Sequence, residues 1–494
     1  MATSVVPVRT KAPVQGRDIA AQVRKYIQEA ARPMLVEAGS APFALTPESW
    51  ELVERGNTVL LHAWSERSNL SRRITAVLSS RPDQMTLRTE VFGGRTGTLT
   101  IYDAGRPSTR NHDRRGARLE LRERFRRFLR RQFPDMKVAD LSAEANLENT
   151  LSPNFPRALL KKGGAGWAAM CAPAEASIVD EVLSFGLIWL DYLRRRDTRL
   201  AIEGLVLYLP AGLERTTCLR LNYLSGAKWR AWAYAEEGFE APLDLADYGN
   251  LNSAVAICRA PIADESSLAP LYRIPGFERI PAPDGSIRLR VRGVELARLS
   301  DRGLLWTFDG CRPRPCTAGE VEPLAAELSR IRCHDTADRG NPLYRREPEL
   351  WLESQVRAQI ESIDPQILPG PVYGQVPGVT GTAHGIIDLL GCRRDGRLAV
   401  IELKASEDIH LPLQALDYWM RVKWHAERDD FTRNGYFPGT PVRAEAPRLL
   451  LVAPALQFHP SNEIVLRFFS PEVAVERIGV GLEWQKKLKT TLRA

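Results

Sequence analysis

The sequence contains no uninterrupted apolar run of about eighteen residues, the length at which a membrane-spanning helix becomes plausible. No basic segment followed by an apolar stretch opens the chain, so we expect no secretory leader. Its seven cysteines are an odd number scattered over 494 residues, which does not suggest a disulfide framework. A GxxxxGK[ST] loop is also missing, so nothing indicates an ATP motor. These absences predict a cytoplasmic protein without a membrane anchor.

The composition is that of a globular protein, with 44% apolar and 26% charged residues. A chain of 494 residues is too long for one hydrophobic core, so we expect several domains. The formal net charge is +8 and the isoelectric point is near 9.1. This balance favours a polyanionic partner such as nucleic acid.

Much of the positive charge lies in one segment. Between Arg106 and Arg131, eleven arginines stand against three acidic residues, a local excess of eight that equals the net charge of the chain. The apolar residues of this segment have the spacing of a buried helical stripe, which leaves the arginines outside. An ordinary solvated helix face is one interpretation. The functional one is a phosphate-binding surface with salt-dependent affinity, formed by Arg122, Arg126, Arg127, Arg130 and Arg131.

Residues suited to catalysis concentrate between positions 384 and 418. Asp388 lies in one apolar run, and Glu402 and Lys404 lie in a second, so both runs are predicted to be buried strands. A three-residue loop with Gly396 in the left-handed conformation would place Asp388 opposite Glu402. A two-residue loop would turn the two carboxylates to opposite faces. We favour the longer loop, which presents two acids and one amine together.

Two carboxylates at such a short distance repel each other unless a cation neutralises them. Hard oxygen ligands suit Mg²⁺ or Mn²⁺, which keep several waters and bind substrate phosphate at the open positions. Such an ion polarises a phosphoryl oxygen and acidifies bound water, while Lys404 can orient that water or stabilise developing charge. The pattern predicts metal-dependent hydrolysis of phosphodiester bonds.

Two predicted helices flank the hairpin. Gln414 and Tyr418 on the downstream helix are spaced i, i+4 and therefore share one face. Pro348 opens the upstream helix, whose Glu353 is a candidate additional acid and metal ligand. His384 lies on the same face as the acids but receives no role.

This set of residues resembles the PD-(D/E)xK nuclease superfamily, and within it the RecB-like branch that Gln-x-x-x-Tyr marks. The resemblance covers about residues 345–470 and implies a restriction-endonuclease-like αβββαβ core. Ile387 stands where the name-giving proline of the family would be. The roles that the resemblance implies are metal binding by Asp388 and Glu402, catalysis by Lys404, and support of the site or of the nucleic acid backbone by Gln414 and Tyr418.

We predict a multi-domain α/β (α+β) protein with a β-rich N-terminal module. Within that module, helices are predicted for residues 18–37 and 46–56, and strands for 58–65, 71–79, 85–91 and 97–102. The predicted parts are a loose tail (1–15), the α+β module (16–105), the basic helix with a degenerate nuclease-like domain (106–260), a small β connector (261–340) and the nuclease domain (341–494).

The degenerate copy is predicted from an offset of 230 residues between two apolar patterns. The offset aligns Ala158 with Asp388, and it puts Ala172 and Ala174 in place of the acid and the lysine of the second strand. Such a copy would have no catalytic groups. Chance similarity between two helix, hairpin, helix and strand units is the alternative interpretation.

The predicted function is that of a nuclease dependent on Mg²⁺ or Mn²⁺, with DNA as the favoured substrate and repair or defence as the context. The alternative is a catalytically inactive nucleic-acid-binding or scaffold protein that keeps the nuclease fold. The sequence leaves open whether the protein has a protein partner or forms a homo-oligomer. The intact set of Asp388, Glu402 and Lys404 favours the enzyme, because a purely structural module does not need all three.

Overall fold

The structure is a computed structural model that describes residues 16–37, 42–55, 58–65, 68–91, 95–106, 110–235, 238–251, 253–262, 264–310, 312–374, 376 and 387–494. The chain divides into two compact units, Met1–Pro173 and Ala174–Ala494. Helices (29%) and strands (32%) occur in similar amounts, so the protein is of the mixed α/β class. None of the helices in the described residues is long and apolar enough to cross a bilayer.

The first unit begins with a helix on an antiparallel sheet of seven strands. Helix α1 (Gly16–Glu29) packs its apolar face, including Ile19, Val23 and Ile27, against three adjacent strands of this sheet. In spatial order the strands are β2 (Phe43–Ala44), β1 (Pro33–Glu37), β7 (Arg95–Asp103), β6 (Gln84–Val91), β5 (Ser68–Ser80), β4 (Thr58–Ser65) and β3 (Trp50–Arg55).

The helix prediction for residues 18–37 is wrong in part, and the one for residues 46–56 is wrong, because none of residues 46–55 is helical. Residues 33–37 form strand β1 instead of continuing α1, because Pro33 cannot donate the backbone hydrogen bond that a helix needs there. Residues 50–55 form strand β3, in which Leu52 faces the core while its neighbour Glu51 faces solvent. The four predicted strands are confirmed, with small changes at their ends.

The rest of the first unit is built on the arginine-rich helix. Helix α2 (Arg110–Gln132) packs against β8 (Lys137–Ser142) and β10 (Ala165–Cys171), and β9 (Arg157–Lys162) lies between these strands. Phe125, Phe128 and Leu129 are buried along one side of α2, as the apolar spacing predicts. Strand β9 is antiparallel to both of its neighbours.

The second unit opens with a helical segment and three strands. A 3₁₀ turn, Val179–Glu181, leads into helix α3 (Val182–Arg196), which packs on strand β11 (Ala201–Pro210). After the short helix α4 (Arg215–Leu221), strand β12 (Lys228–Tyr234) pairs with β11 in parallel, and β13 (Glu240–Leu243) pairs with β12 in antiparallel orientation.

A small antiparallel sheet follows, where the sequence predicts a β connector. Helix α5 (Ala318–Ile331) covers it by packing on β15 and β16. The five strands pair in chain order and are β14 (Phe277–Pro281), β15 (Ile287–Val291), β16 (Val294–Ser300), β17 (Gly303–Trp306) and β18 (Arg314–Pro315).

The C-terminal region is a six-stranded mixed sheet with helices on both faces. Its helices are α6 (Pro342–Arg345), α7 (Pro348–Ala358), α8 (Ile360–Ile363), α9 (Leu411–Ala426), α10 (Asp430–Arg433) and α11 (Pro460–Leu466). Its strands, which also pair in chain order, are β19 (Tyr373–Gly374), β20 (Leu389–Cys392), β21 (Leu398–Leu403), β22 (Arg448–Pro454), β23 (Val475–Val480) and β24 (Thr490–Arg493). Strands β21, β22 and β23 are parallel, and α7 and α9 both pack on β21.

The middle region (residues 106–260) and the C-terminal region (residues 341–494) share an order of helices and strands. The residue-by-residue alignment predicted between them is wrong. Each runs through a helix, an antiparallel hairpin, a second helix and a further strand. The middle hairpin turns through two residues, Gly163 and Gly164, so Ala158 lies opposite Ala169. Ala172 follows the end of β10. A single offset of 230 residues therefore cannot hold on both strands of the hairpin.

Candidate active site

The hairpin β20–β21 has the register that the three-residue loop requires. Leu389 lies opposite Ile401 and Cys392 opposite Leu398, and the backbone N–H of Arg393 donates to the carbonyl oxygen of Arg397 over 2.8 Å. The loop is therefore residues 394–396, and Gly396 has φ +85°. This prediction from the sequence is confirmed.

Gly396 is needed for its conformation and for its lack of a side chain. A Cβ at this position would lie 2.3 Å from the carbonyl oxygen of Pro441. We expect Gly396→Ala to lower the free energy of unfolding by about 2–4 kcal/mol, because strain at positive φ adds to a backbone clash. Gly439 is a matched control, since it has φ +77° with nothing within 4 Å of its Cβ position.

Denaturant unfolding of the two alanine variants measures this difference. Gly439→Ala should cost only the strain of its left-handed conformation, on the order of 1 kcal/mol. Equal losses in the two variants would contradict a contribution from the close approach to Pro441.

Asp388 directly precedes β20, one residue beyond the paired ladder. Continuing the register places it opposite Glu402 on β21, and its Oδ2 accepts the backbone N–H of Leu403 over 2.9 Å. Burial raises the pKa of Asp388 to about 7, and the charges of Glu353 and Glu349 act in the same direction. Asp388 is therefore a partly buried acid in an environment of negative charge.

Glu402 is almost completely buried, with 3% of its surface exposed. Its Oε2 has no hydrogen-bond partner in the described part of the chain. Burial raises the pKa of Glu402 well above its usual range, and repulsion by Asp388 raises it further. A bound cation would lower the pKa values of both acids, because it stabilises their charged forms.

Lys404 is the cationic group of the site. Burial alone would lower its pKa, but the surrounding acids, Glu402 first among them, more than compensate and raise the pKa. Its Nζ lies 3.5 Å from Asp408 and 4.0 Å from Glu349. The amine is therefore charged at neutral pH and held between two carboxylates.

Gln414 and Tyr418 lie on α9, where Pro412 occupies the first turn. The Oε1 atom of Gln414 is buried and has no hydrogen-bond partner among the described residues. Burial raises the pKa of Tyr418, and the next two contributions come from Glu402 and Asp388. Tyr418 therefore keeps its proton and lies close enough to both acids to feel their charge.

Glu353, the acid predicted on the upstream helix, is bound to two arginines. One of its carboxylate oxygens lies 3.4 Å from Arg290 and also accepts a hydrogen bond from Arg357. The other oxygen, Oε2, is buried and has no hydrogen-bond partner in the described structure. One oxygen of Glu353 is thus neutralised by arginine.

Sequence reasoning missed Glu349, which lies one helical turn before Glu353 on α7. Glu349 approaches Lys404 and raises the pKa of both Asp388 and Glu402. Its side chain is 45% exposed, so it can reach solvent as well as the site. The i, i+4 spacing of the two glutamates was the available signal, because both positions share one helix face.

The donor set fits a small hard cation with few protein ligands. Within the described ranges, no group of three or more His, Cys, Asp or Glu side chains is arranged to hold a metal ion. Mg²⁺ is commonly bound through one or two carboxylates together with water and substrate phosphate, which is what Asp388 and Glu402 offer. The buried Oε2 of Glu402 has no hydrogen-bond partner among the described residues and is available to a cation. His384 falls outside the described residues.

No protein-family model and no curated protein matches this chain.

The predicted phosphate-binding arginines of α2 divide into two groups. Arg122 and Arg126 form ion pairs with Glu123, at 3.2 Å and 2.5 Å. Arg127, Arg130 and Arg131 are exposed to solvent. The exposed group is the part of this surface that is best placed to meet a polyanion.

Proposed function

We propose that the protein is a metal-dependent nuclease of the PD-(D/E)xK type and RecB-like branch, with DNA as substrate. The active site lies in residues 341–494, whose core would then be restriction-endonuclease-like. The observation that carries this proposal is the placement of Asp388 against the backbone of Leu403, next to Glu402, with Lys404 directly after the end of β21. A buried pair of acids with a charged lysine is costly for folding alone, and such groups cluster at functional sites.

Asp388 and Glu402 would hold Mg²⁺ or Mn²⁺, with Glu349 or Glu353 as a further acid nearby. When bound, the ion supplies Lewis-acid stabilisation of the phosphoryl group. The charged amine of Lys404 stabilises negative charge on the phosphate as it is attacked and positions the attacking water. Gln414 and Tyr418 supply an amide and a protonated hydroxyl that can donate to the substrate backbone.

The test is cleavage of end-labelled single-stranded, double-stranded and branched DNA, with RNA alongside, in the presence of Mg²⁺, Mn²⁺ or EDTA. We expect metal-dependent cutting of at least one DNA substrate. Binding of DNA without cutting in either metal would instead support the alternative predicted from the sequence, an inactive nucleic-acid-binding or scaffold protein.

We also propose that the middle region is a copy of the nuclease core without its catalytic groups. The shared order of helix, hairpin, helix and strand supports this proposal, as does the parallel strand that follows the second helix in each region. With Ala158 taken as the counterpart of Asp388, the opposing position carries Ala169. A site without acids avoids the repulsion of an empty metal site and can serve as a packing or binding surface.

Exposed arginines of α2 should contribute to DNA affinity through phosphate contacts. Replacing Arg127, Arg130 and Arg131 together by glutamine should reduce the slope of log affinity against log salt by about 2–3 for duplex DNA. Fluorescence anisotropy at several salt concentrations measures this slope. Arg122→Gln with Arg126→Gln is the control, because these two side chains are less exposed and contact Glu123. A triple variant with an unchanged slope would contradict this prediction.

A further inference from the structure

A cleft of about 350 Å³ runs along one face of α9, next to the proposed active site. One wall carries Gln414, Tyr418 and Arg421, all from α9. The other wall comes from the start of the second unit and includes Glu181 and Arg220. Side chains between positions 176 and 220 therefore complete a cavity that is also lined by Gln414 and Tyr418 of the candidate site.

Arg421 is a buried cation without a counter-charge. Only 8% of its surface is exposed, and it forms no hydrogen bond, ion pair or ring contact with any residue in the described ranges. Buried arginines are nearly always paired, because removing a charge from water is costly. An unpaired one that lines a cavity is suited to an anionic ligand.

The other basic groups of the cleft, Arg220 and His410, already have partners, and the cleft also carries the acids Asp180 and Glu181. Arg220 binds both carboxylate oxygens of Asp417, at 2.8 Å and 2.7 Å. Glu181 lies 3.6 Å from Nε2 of His410, whose Nδ1 lies 3.0 Å from the hydroxyl of Ser184. These contacts leave the guanidinium of Arg421 as the cationic group open to a ligand.

The spacing of the α9 wall links this cation to the active site. Gln414, Tyr418 and Arg421 follow an i, i+4, i+7 pattern and so form one stripe along the helix. Seven residues of helix span about 10 Å, so the stripe is longer than one phosphate group. A strand whose phosphate reaches Asp388 and Glu402 could thus present another phosphate to Arg421.

We propose that Arg421 binds a backbone phosphate of the nucleic acid strand next to the one that is cut. This inference rests on the proposed nuclease function and adds a binding residue to it. Arginine suits the role because its planar guanidinium can donate two parallel hydrogen bonds to one phosphate. The cost of burying the charge in the free protein is recovered when the phosphate binds.

The test uses the full chain with Arg421→Met, and Arg428→Met as a matched control. Arg428 follows the same helix but is exposed and stacks on Trp424. Binding of a fluorescent single-stranded oligonucleotide is measured in EDTA over a range of salt. Arg421→Met should weaken binding about tenfold and reduce the salt slope by about 0.7, whereas Arg428→Met should stay close to the wild type.

Thermal unfolding separates this role from a structural one. Removing an unpaired buried charge should leave the melting temperature of Arg421→Met unchanged or higher. A clearly lower melting temperature would identify Arg421 as structural and would overturn the proposal. Arg421→Lys, which keeps the charge but loses the paired donors, should keep the salt slope while binding more weakly.

The outcomes also distinguish this proposal from that of nuclease activity. Equal affinity and slope in Arg421→Met and the wild type would overturn the role of Arg421 alone, even if DNA is cut. Oligonucleotide binding that depends on Arg421, without cutting in any metal, would support the binding site and contradict the nuclease. A wild-type protein that binds no oligonucleotide would contradict both.

Discussion

Glu402→Gln should reduce metal-dependent DNA cleavage by about 10³-fold or more, while DNA binding in EDTA stays close to that of the wild type. Glutamine keeps the size of the buried side chain but removes the negative charge that would hold the cation. The Oε2 atom of Glu402 has no partner among the described residues, so little of the fold depends on that charge. Binding should persist because the exposed arginines of α2 and Arg421 are unchanged.

Two further variants are compared with Glu402→Gln, one expected to be active and one expected to be inactive. Glu407→Gln removes an exposed carboxylate five residues away and should cut DNA at the wild-type rate. Lys404→Met should lose activity as severely as Glu402→Gln, because the charge that stabilises the attacked phosphate is gone. Initial rates in Mn²⁺ and Mg²⁺ give the comparison. Activity within tenfold of the wild type in Glu402→Gln would remove the proposed mechanism.

The sequence predicts the hairpin because local rules and burial agree there. Gly396 fixes the length of the loop, and the alternation of strand side chains then fixes which groups oppose each other. Of the two loop lengths considered, only the three-residue loop places Asp388 and Glu402 on the same face of the hairpin. The structure has that register, and it adds the hydrogen bond from Leu403 to Asp388 that fixes the aspartate at the strand end.

Contacts between residues far apart in the chain are not visible in local sequence patterns. Glu353 has the right helix and a suitable spacing, but Arg290 from the small β sheet binds one of its oxygens. No local pattern indicates that a residue 63 positions earlier in the chain will supply the charge. Glu349, one turn away, lies closer to Lys404. Which of two acids on one helix face enters the site is decided by tertiary packing.

In the cleft along α9, too, the partner of a charged residue comes from a distant part of the chain. Asp417 and Arg421 are spaced i, i+4 on α9, which favours an ion pair between them. Asp417 instead binds Arg220, which lies 197 positions earlier in the chain. A constant offset of 230 residues cannot align both strands of the two hairpins, because their loops differ in length.

The metal-free protein should become less stable as the pH rises from about 4 to about 8. Asp388 has an unfolded pKa near 3.9, and burial raises its pKa to about 7 in the folded protein. Its contribution to stability is therefore fully present below about pH 4 and is lost as the pH rises through about 7. The pKa of Glu402 is raised well above its usual range, which extends the loss to higher pH. The total loss should be on the order of a few kcal/mol.

The contribution of His410 to stability changes with pH in the opposite direction to that of Asp388. Burial lowers its pKa to about 4, so the stability contributed by the neutral ring is lost as the pH falls from about 6.5 to about 4. Subtracting the stability of Asp388→Asn from that of the wild type at each pH removes the contribution of His410, because both proteins contain it. Asp429→Asn controls for the loss of a carboxylate, since its side chain is 56% exposed.

Mn²⁺ should reverse the loss at high pH, because the cation binds the charged carboxylates and competes with their protons. We expect a rise of the melting temperature by several degrees with millimolar Mn²⁺ at pH 8, and little change at pH 5. Asp388→Asn in EDTA should melt higher than the wild type at pH 8, and Mn²⁺ should then have little effect. Asp429→Asn should behave as the wild type throughout. A wild-type melting temperature that is the same at pH 5 and pH 8 and unaffected by Mn²⁺ would show that Asp388 and Glu402 are not a metal-binding pair.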